Sequence, residues 1–306
     1  MYAEAAVALV MAVLIDRVIG EPPDRIHPTV YMGKLIALLK THSPRGLAGG
    51  MLLLILVTIT FSLPAYLLIA LVPWTGVKII LAAVLLKLSL SWRGLADYTL
   101  QVKHALERGD IAEARALLPY IVSRDPGKLN KAEISSACVE SIAENSVDAV
   151  AAPLLYFTIF SIHSLELGVA AAVAYRVVNT LDAMVGYRSY GAFGTPSAKL
   201  DDILNFPVAR LFAPLLLLST LLISACLKGA IATLRRDRGK PASPNAGIPM
   251  SIVAGALQIR LIKPGHYTIG NFQCLPSTGD IARALKIVDV ALLLYAVSML
   301  IVLLYI

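Results

Sequence analysis

The chain has 306 residues, 58% of them apolar and only 15% charged, with mean hydropathy +0.74 and a formal net charge of +7. That balance excludes an ordinary soluble globular domain and is typical of an integral membrane protein with sizeable polar loops. The cysteines Cys138, Cys226 and Cys274 are far apart and form no C-x-x-C pair, so neither a disulfide framework nor a thiolate zinc site is expected.

Seven apolar stretches are candidate spans: 3–19, 47–74, 77–92, 149–163, 165–178, 210–231 and 286–306. Several are short against the roughly 20 helical residues needed to cross a bilayer. Residues 149–178 therefore form either a tight hairpin or one long tilted helix, and 210–231 is interrupted at Pro214. The first stretch ends at Asp16-Arg17 with no small-residue cleavage site, and reads as a retained helix rather than a signal peptide. After it comes Gly20-Glu21-Pro22-Pro23-Asp24-Arg-Ile-His27-Pro28. The prolines make this a stiff turn. His27 is a candidate acid/base or ligand residue there, although a lone histidine is more often structural.

Lysine and arginine concentrate at 34–45, 93–131 and 228–240. By the positive-inside rule the loops 20–46, 93–148, 180–209 and 232–285 should face the cytoplasm. If every candidate span crosses fully, 232–285 falls on the wrong side, so either 210–231 or the 149–178 pair should not cross. Nucleic-acid binding is not expected, because the basic residues follow span ends and do not form one basic domain.

The longest soluble stretch, 93–148, reads as a helical insertion in a single membrane-embedded domain covering 1–306. A helix from Asp97 ends at Gly109, Asp110-x-x-Glu113 opens a second, and the capping box Asn130-x-x-Glu133 opens a third. The third carries Glu140, Glu144 and Asp148 at i, i+4 and i+8, on one face and next to an apolar run. Like charges so placed destabilise a helix unless a divalent cation, basic side chains or a cationic ligand compensates them. No strand alternation is visible, and the fold class expected is all-α.

Two further constellations carry chemistry. In Tyr175-Arg176-Val-Val-Asn179-Thr180-Leu-Asp182, followed by Gly186-Tyr187-Arg188, the residues Arg176, Asn179 and Asp182 or Thr180 share a helix face. A loop should follow, with Lys199, Asp201, Asp202, Asn205 and Arg210. Hard carboxylate oxygens beside lysine and arginine suit Mg²⁺ with phosphate. The turn Ser243-Pro244-Asn245-Ala-Gly247, leading to Arg260, offers backbone N–H groups to a phosphate or amide, although no Walker A pattern is present.

In this order the segments Gly20-Glu21-Pro22-Pro23…His27-Pro28, Glu140-x-x-x-Glu144-Asn145-x-x-Asp148…Pro153, Tyr175-Arg176-x-x-Asn179-Thr180-x-Asp182…Gly186-Tyr187, Lys199-x-Asp201-Asp202…Asn205-x-Pro207…Arg210 and Ser243-Pro244-Asn245…Gly247-x-Pro249 carry a resemblance. They resemble the adenosylcobinamide-phosphate synthase family of cobalamin biosynthesis (CbiB/CobD), over nearly the whole chain. The resemblance implies a multi-pass protein of the cell membrane with an interfacial active site built from cytoplasmic helical loops. It implies ATP-dependent joining of adenosylcobyric acid to (R)-1-amino-2-propanol or its O-phosphate, with Mg²⁺, the corrinoid being a substrate. It leaves room for a homo-oligomer and for association with other membrane enzymes of the pathway.

That chemistry would place Glu140, Glu144, Asp148, Asp201 and Asp202 as metal ligands and His27, Glu144 and Asp182 in catalysis. Arg176, Asn179, Arg188, Lys199, Ser243, Asn245 and Arg260 would hold substrate or phosphate. Three rival classes fit the residues less well. A transporter or ion channel predicts acids deep within spans, whereas most lie at span ends. A Mg²⁺-dependent membrane transferase would want a second aspartate at 186, where Gly186 stands. A non-catalytic scaffold has no use for the acidic face.

Overall fold

A computed structural model describes residues 2–122 and 125–305. The described elements, in chain order, begin with α1 (Tyr2–Ile19), α2 (Pro28–His42), α3 (Leu47–Ala70), α4 (Thr75–Ser89), α5 (Trp92–Glu107), α6 (Ile111–Leu117) and α7 (Lys131–Ser146). A π turn (Val147–Ala151) runs into α8 (Ala152–Ser161), then α9 (Leu165–Val185) and a 3₁₀ segment (Arg188–Phe193). The chain ends with α10 (Thr195–Leu222), α11 (Leu227–Asp237), α12 (Gly247–Leu257), strands β1 (Leu261–Lys263) and β2 (Tyr267–Ile269), and α13 (Thr278–Tyr305).

The architecture is all-α and polytopic. Among the described residues five helical stretches are long and apolar enough to cross a bilayer: Leu47–Ala70, Thr75–Glu107, Leu165–Val185, Thr195–Leu222 and Thr278–Tyr305. Among the described residues the exception to the helical reading is the antiparallel hairpin of β1 and β2, with Ile262 opposite Thr268. At three residues per strand, it is too short for alternation to stand out in the sequence.

Local signals set several boundaries. Asn130 accepts from the Glu133 N–H while the Glu133 carboxylate accepts from the Asn130 N–H, so the expected capping box opens α7. Asp110 caps α6 through the Glu113 N–H. Gly109, at φ +79°, terminates the preceding helix in the left-handed conformation that a side chain would oppose.

Other boundaries differ from the sequence reading. Residues 149–178 form a hairpin: α8 and α9 are joined through 162–164, and α9 continues past 178 to Val185. Residues 195–209, expected as loop, are the first turns of α10, with Pro196 at its start where a missing N–H costs nothing. The 210–231 stretch is not one element. α10 runs through Pro207 and Pro214 to Leu222, the chain reverses with Ser224 at φ +58°, and α11 follows. The 77–92 stretch ends at Ser89, and α5 begins at Trp92, before the expected start at Asp97.

The chain forms two compact units. The first comprises Met1–Arg93, Asp148–Asn205 and Ala296–Ile306; the second comprises Gly94–Val147 and Phe206–Tyr295. In the first, α9 packs on α8, α3, α4 and α2, and α1 packs on α4. In the second, α12 packs on α11 and α7, and the hairpin lies on α7. Every residue of α12 is buried, as expected of a helix apolar on all sides.

Candidate active site

The first unit holds a continuous chain of buried polar groups. It starts where α4 gives way to α5. A helix end leaves backbone groups without intrahelical partners. Here side chains from other helices supply them. The Arg93 N–H, in the first turn of α5, donates to Asp16 Oδ2 of α1 at 2.9 Å. The Ser89 carbonyl, at the end of α4, accepts from Arg176 Nε at 3.0 Å and Nη2 at 2.7 Å. Lys87, in the last turn of α4, lies 3.2 Å from Asp16 and 3.4 Å from Glu21; the Lys87 and Asp16 side chains are 5% and 0% exposed. A buried lysine between two carboxylates satisfies the requirement that buried charge be paired.

Glu21 also meets His27 Nε2 at 3.0 Å. His27 is the N-cap of α2, and its Nδ1 accepts from the Thr29 N–H at 3.3 Å. That contact assigns the proton to Nε2, which donates to Glu21. Both ring nitrogens are therefore engaged, and His27 has the geometry of a cap that fixes the proline-rich turn. Burial opposes ionisation of Glu21, but hydrogen bonds from His27 and Ser91 and the Lys87 charge outweigh it, lowering the group from 4.5 to about 2.

The chain continues along α9 into α10. Arg176 Nη1 donates to Asn179 Oδ1 at 3.4 Å, and Asn179 Nδ2 donates to Asp201 Oδ1 at 3.3 Å. Asn205 Nδ2 donates to Asp201 Oδ2 at 3.0 Å, and the Tyr175 hydroxyl donates to Asn205 Oδ1 at 2.8 Å. Tyr175 stacks on Tyr156, with ring centroids 5.5 Å apart. Asp182 and Asp202 lie near enough to Asp201 for their charges to repel it. Gly186 makes room for the Asp182 carboxylate: a Cβ there would fall 1.9 Å from Asp182 Oδ1. The Thr180 hydroxyl donates to the Arg176 carbonyl at 2.7 Å.

The expected residues are thus sorted. Arg176, Asn179, Asp182 and Asp201 come together, with Asp202 beside them. Lys199 and Arg188 are exposed, Lys199 in the first turn of α10. Glu140 is buried in the second unit, where Oε1 accepts from Ser136 at 2.8 Å and Oε2 from Tyr267 at 2.9 Å. Ser136 also accepts the Ile262 N–H at 2.7 Å, so Glu140 ties α7 to the hairpin. Glu144 and Asp148 are half-buried. Among the described residues no three His, Cys, Asp or Glu side chains are grouped closely enough to hold a metal ion by themselves.

Also in the second unit, Asn245 accepts from Arg210 at 3.1 Å and its N–H donates to Ser243 Oγ at 3.3 Å. The Arg260 Nε is buried without a hydrogen-bond partner. Asp237 fastens the end of α11 to the hairpin by accepting the Gly270 N–H at 2.7 Å.

Sequence reasoning missed Asp16 and Lys87. The signal was present: each is a charge inside an apolar stretch, and such charges require a partner. Asn205, Tyr175 and Glu21 stood inside recognised motifs but had no assigned role.

Residues 9–296 match the family model described as CobD/Cbib protein. The chain belongs to the CobD/CbiB family. It is 40% identical over 276 residues to a cobalamin biosynthesis protein CobD of Dehalococcoides mccartyi strain CBDB1, covering 88% of this chain and 87% of the relative. It is 37% identical to a probable cobalamin biosynthesis protein CobD of Methanothermobacter thermautotrophicus, covering 95% of each chain. A CobD of Klebsiella pneumoniae is 38% identical, covering 92% of this chain and 89% of its own length. No solved structure matches.

Proposed function

We propose that this protein is the amide-forming enzyme of cobalamin biosynthesis, joining adenosylcobyric acid to (R)-1-amino-2-propanol or its O-phosphate at the expense of ATP. The single observation that carries the reading beyond family membership is the Asp182–Asp201–Asp202 group. Asp201 is held there by amide donors from Asn179 and Asn205 with the charges of Asp182 and Asp202 nearby, a setting that favours a cation.

A carboxylate is a poor acyl donor. In the proposed reaction it attacks the γ-phosphorus of ATP, giving an acyl phosphate and ADP. The amine then attacks the acyl carbon, forming the C–N bond and breaking the C–O bond to release inorganic phosphate and a proton. Magnesium is usually held by one or two carboxylates plus phosphate oxygens, so the absence of a three-carboxylate cluster does not count against it. Asp201 uses one acceptor site on each oxygen for Asn179 and Asn205 and keeps others, and Asp182 is its neighbour. These two residues would hold the ion, which would screen phosphate charge.

The chain's own residues do the rest. Asn179 and Asn205 fix both oxygens of Asp201. Lys199 is an exposed cation in this stretch suited to phosphate. In this reading Asp182 takes the proton of the incoming ammonium. The site would open to the cytoplasmic face of the cell membrane, a reading supported by the lysine- and arginine-rich segments and by the need for ATP.

The test is direct. Purified protein in detergent is given adenosylcobyric acid, ATP, Mg²⁺ and either amine. Formation of the amide product by mass, with one ADP per amide, is expected. Product formation without nucleotide consumption, or no product with either amine, would refute the reading.

A further inference from the structure

Arg176 looked like an anion clamp in the sequence, but its donors point elsewhere. Nε and Nη2 both reach the Ser89 carbonyl, and Nη2 also reaches the Ala149 carbonyl at 3.3 Å. The residue is 9% exposed. A guanidinium used in this way has little left for a phosphate.

The reason Ala149 needs a donor lies in the sequence. In an α-helix its carbonyl would accept from the N–H four residues on, at position 153. That residue is Pro153, which has no N–H and whose ring crowds the carbonyl four residues back. The helix answers with the π turn Val147–Ala151, leaving the Ala149 oxygen to outside donors. Two donors meet it: the Ser91 N–H at 3.0 Å and Arg176. The same arginine thus bridges two carbonyls, that of Ala149, whose helical donor Pro153 removes, and that of Ser89 at the end of α4. Asp148 is the residue just before Ala149, and its charge is felt by both Arg176 and Tyr175.

We propose that Arg176 is a positioning residue that holds the π turn against the end of α4 and so sets the place of the Asp148 carboxylate. This rests on the amide-forming reaction proposed above and on the metal-ligand role that the sequence resemblance implies for Asp148. A lysine keeps the charge but has no fork to span two carbonyls. It therefore separates a brace from a phosphate clamp.

Two measurements test it on the full-length protein in detergent. The first is amide hydrogen exchange over 148–155, which needs no assay of activity. Arg176→Lys should speed exchange there at least about tenfold with α12 unchanged, whereas unchanged exchange at 148–155 overturns the brace. The second is kinetics. Arg176→Lys should lower kcat at least about tenfold with KM for ATP and for the amino-alcohol phosphate within about twofold. A raised KM for either with kcat kept would mean that Arg176 binds phosphate. In the cycle with Asp148→Asn, the double variant should be no worse than the worse single variant, and multiplicative losses would show that Arg176 does not act through Asp148. Should Arg176→Lys fail to fold, Pro153→Ala probes the same turn. It restores a donor to the Ala149 carbonyl and should likewise lower kcat, while unchanged kcat counts against the brace. Altered exchange in a protein whose wild type makes no amide would leave the brace standing and sink the proposed function.

Discussion

Two buried carboxylates, one in each compact unit, show how similar residues are put to different use. Glu140 has each oxygen met by a neutral hydroxyl, from Ser136 and Tyr267, and those contacts fasten α7 to a small hairpin. Asp201 also has each oxygen met by a neutral donor, from Asn179 and Asn205, but two further aspartates stand beside it. The first arrangement is consistent with a structural tie. The second sets like charges close to one another around a buried carboxylate. Burial and hydrogen bonding alone do not distinguish a tie from a reactive group; the charge of the neighbours does.

The strongest way to break this comparison is Asp201→Asn. Amide formation should fall at least about 100-fold, while the melting temperature changes little, because the lost acceptor for one of the two asparagine amides is offset by the removal of like charge. A lower melting temperature with turnover retained would make Asp201 the structural group.

Acid should act on the first unit through Glu21. Its carboxyl ionises near about 2 in the fold against 4.5 without it, so the fold gains stability wherever Glu21 is charged in both states. That gain is present above pH 4.5 and is lost as pH falls toward 2, at most about 3 kcal/mol in all. Thermal unfolding in detergent between pH 6 and pH 2.5 should show the decline, and Glu21→Gln should flatten it.

Glu140→Gln should have the opposite character to Asp201→Asn. Replacing an acceptor by an amide that cannot accept from both hydroxyls should cost about 1–3 kcal/mol of stability. Turnover at low temperature should stay within about threefold. Activity lost at full stability would return Glu140 to the list of ligands.

The smallest effect is expected at Lys199. Lys199→Met should raise KM for ATP or for the amino-alcohol phosphate about tenfold, the equivalent of about 1.4 kcal/mol, with no change in melting temperature. Wild-type constants for every substrate would make Lys199 an ordinary solvated surface lysine.

The sequence by itself determined what depends on near neighbours along the chain. Apolar length marked the long helices, the Asn130–Glu133 box and Gly109 marked helix ends, and ordered motifs marked the family. The helical start of α10 was misread because Asp201, Asp202 and Asn205 resemble loop residues until their partners on α9 are known. Spacing alone grouped Glu140 with Asp148, and could not foresee that Pro153 would wind the helix into a π turn between the one carboxylate and the apolar run.

Only the tertiary structure decided what each polar group faces. Arg176 is equally suited, as a side chain, to a phosphate or to a pair of carbonyls. It went to the carbonyls because α4 ends at Ser89 and Pro153 orphans Ala149, and the fold brings both within reach of one guanidinium. His27 became a cap because Thr29 and Glu21 occupy its two nitrogens. Donor and acceptor pairings across tens of residues depend on where helices cross, and that is set by packing of the whole core rather than by any local pattern.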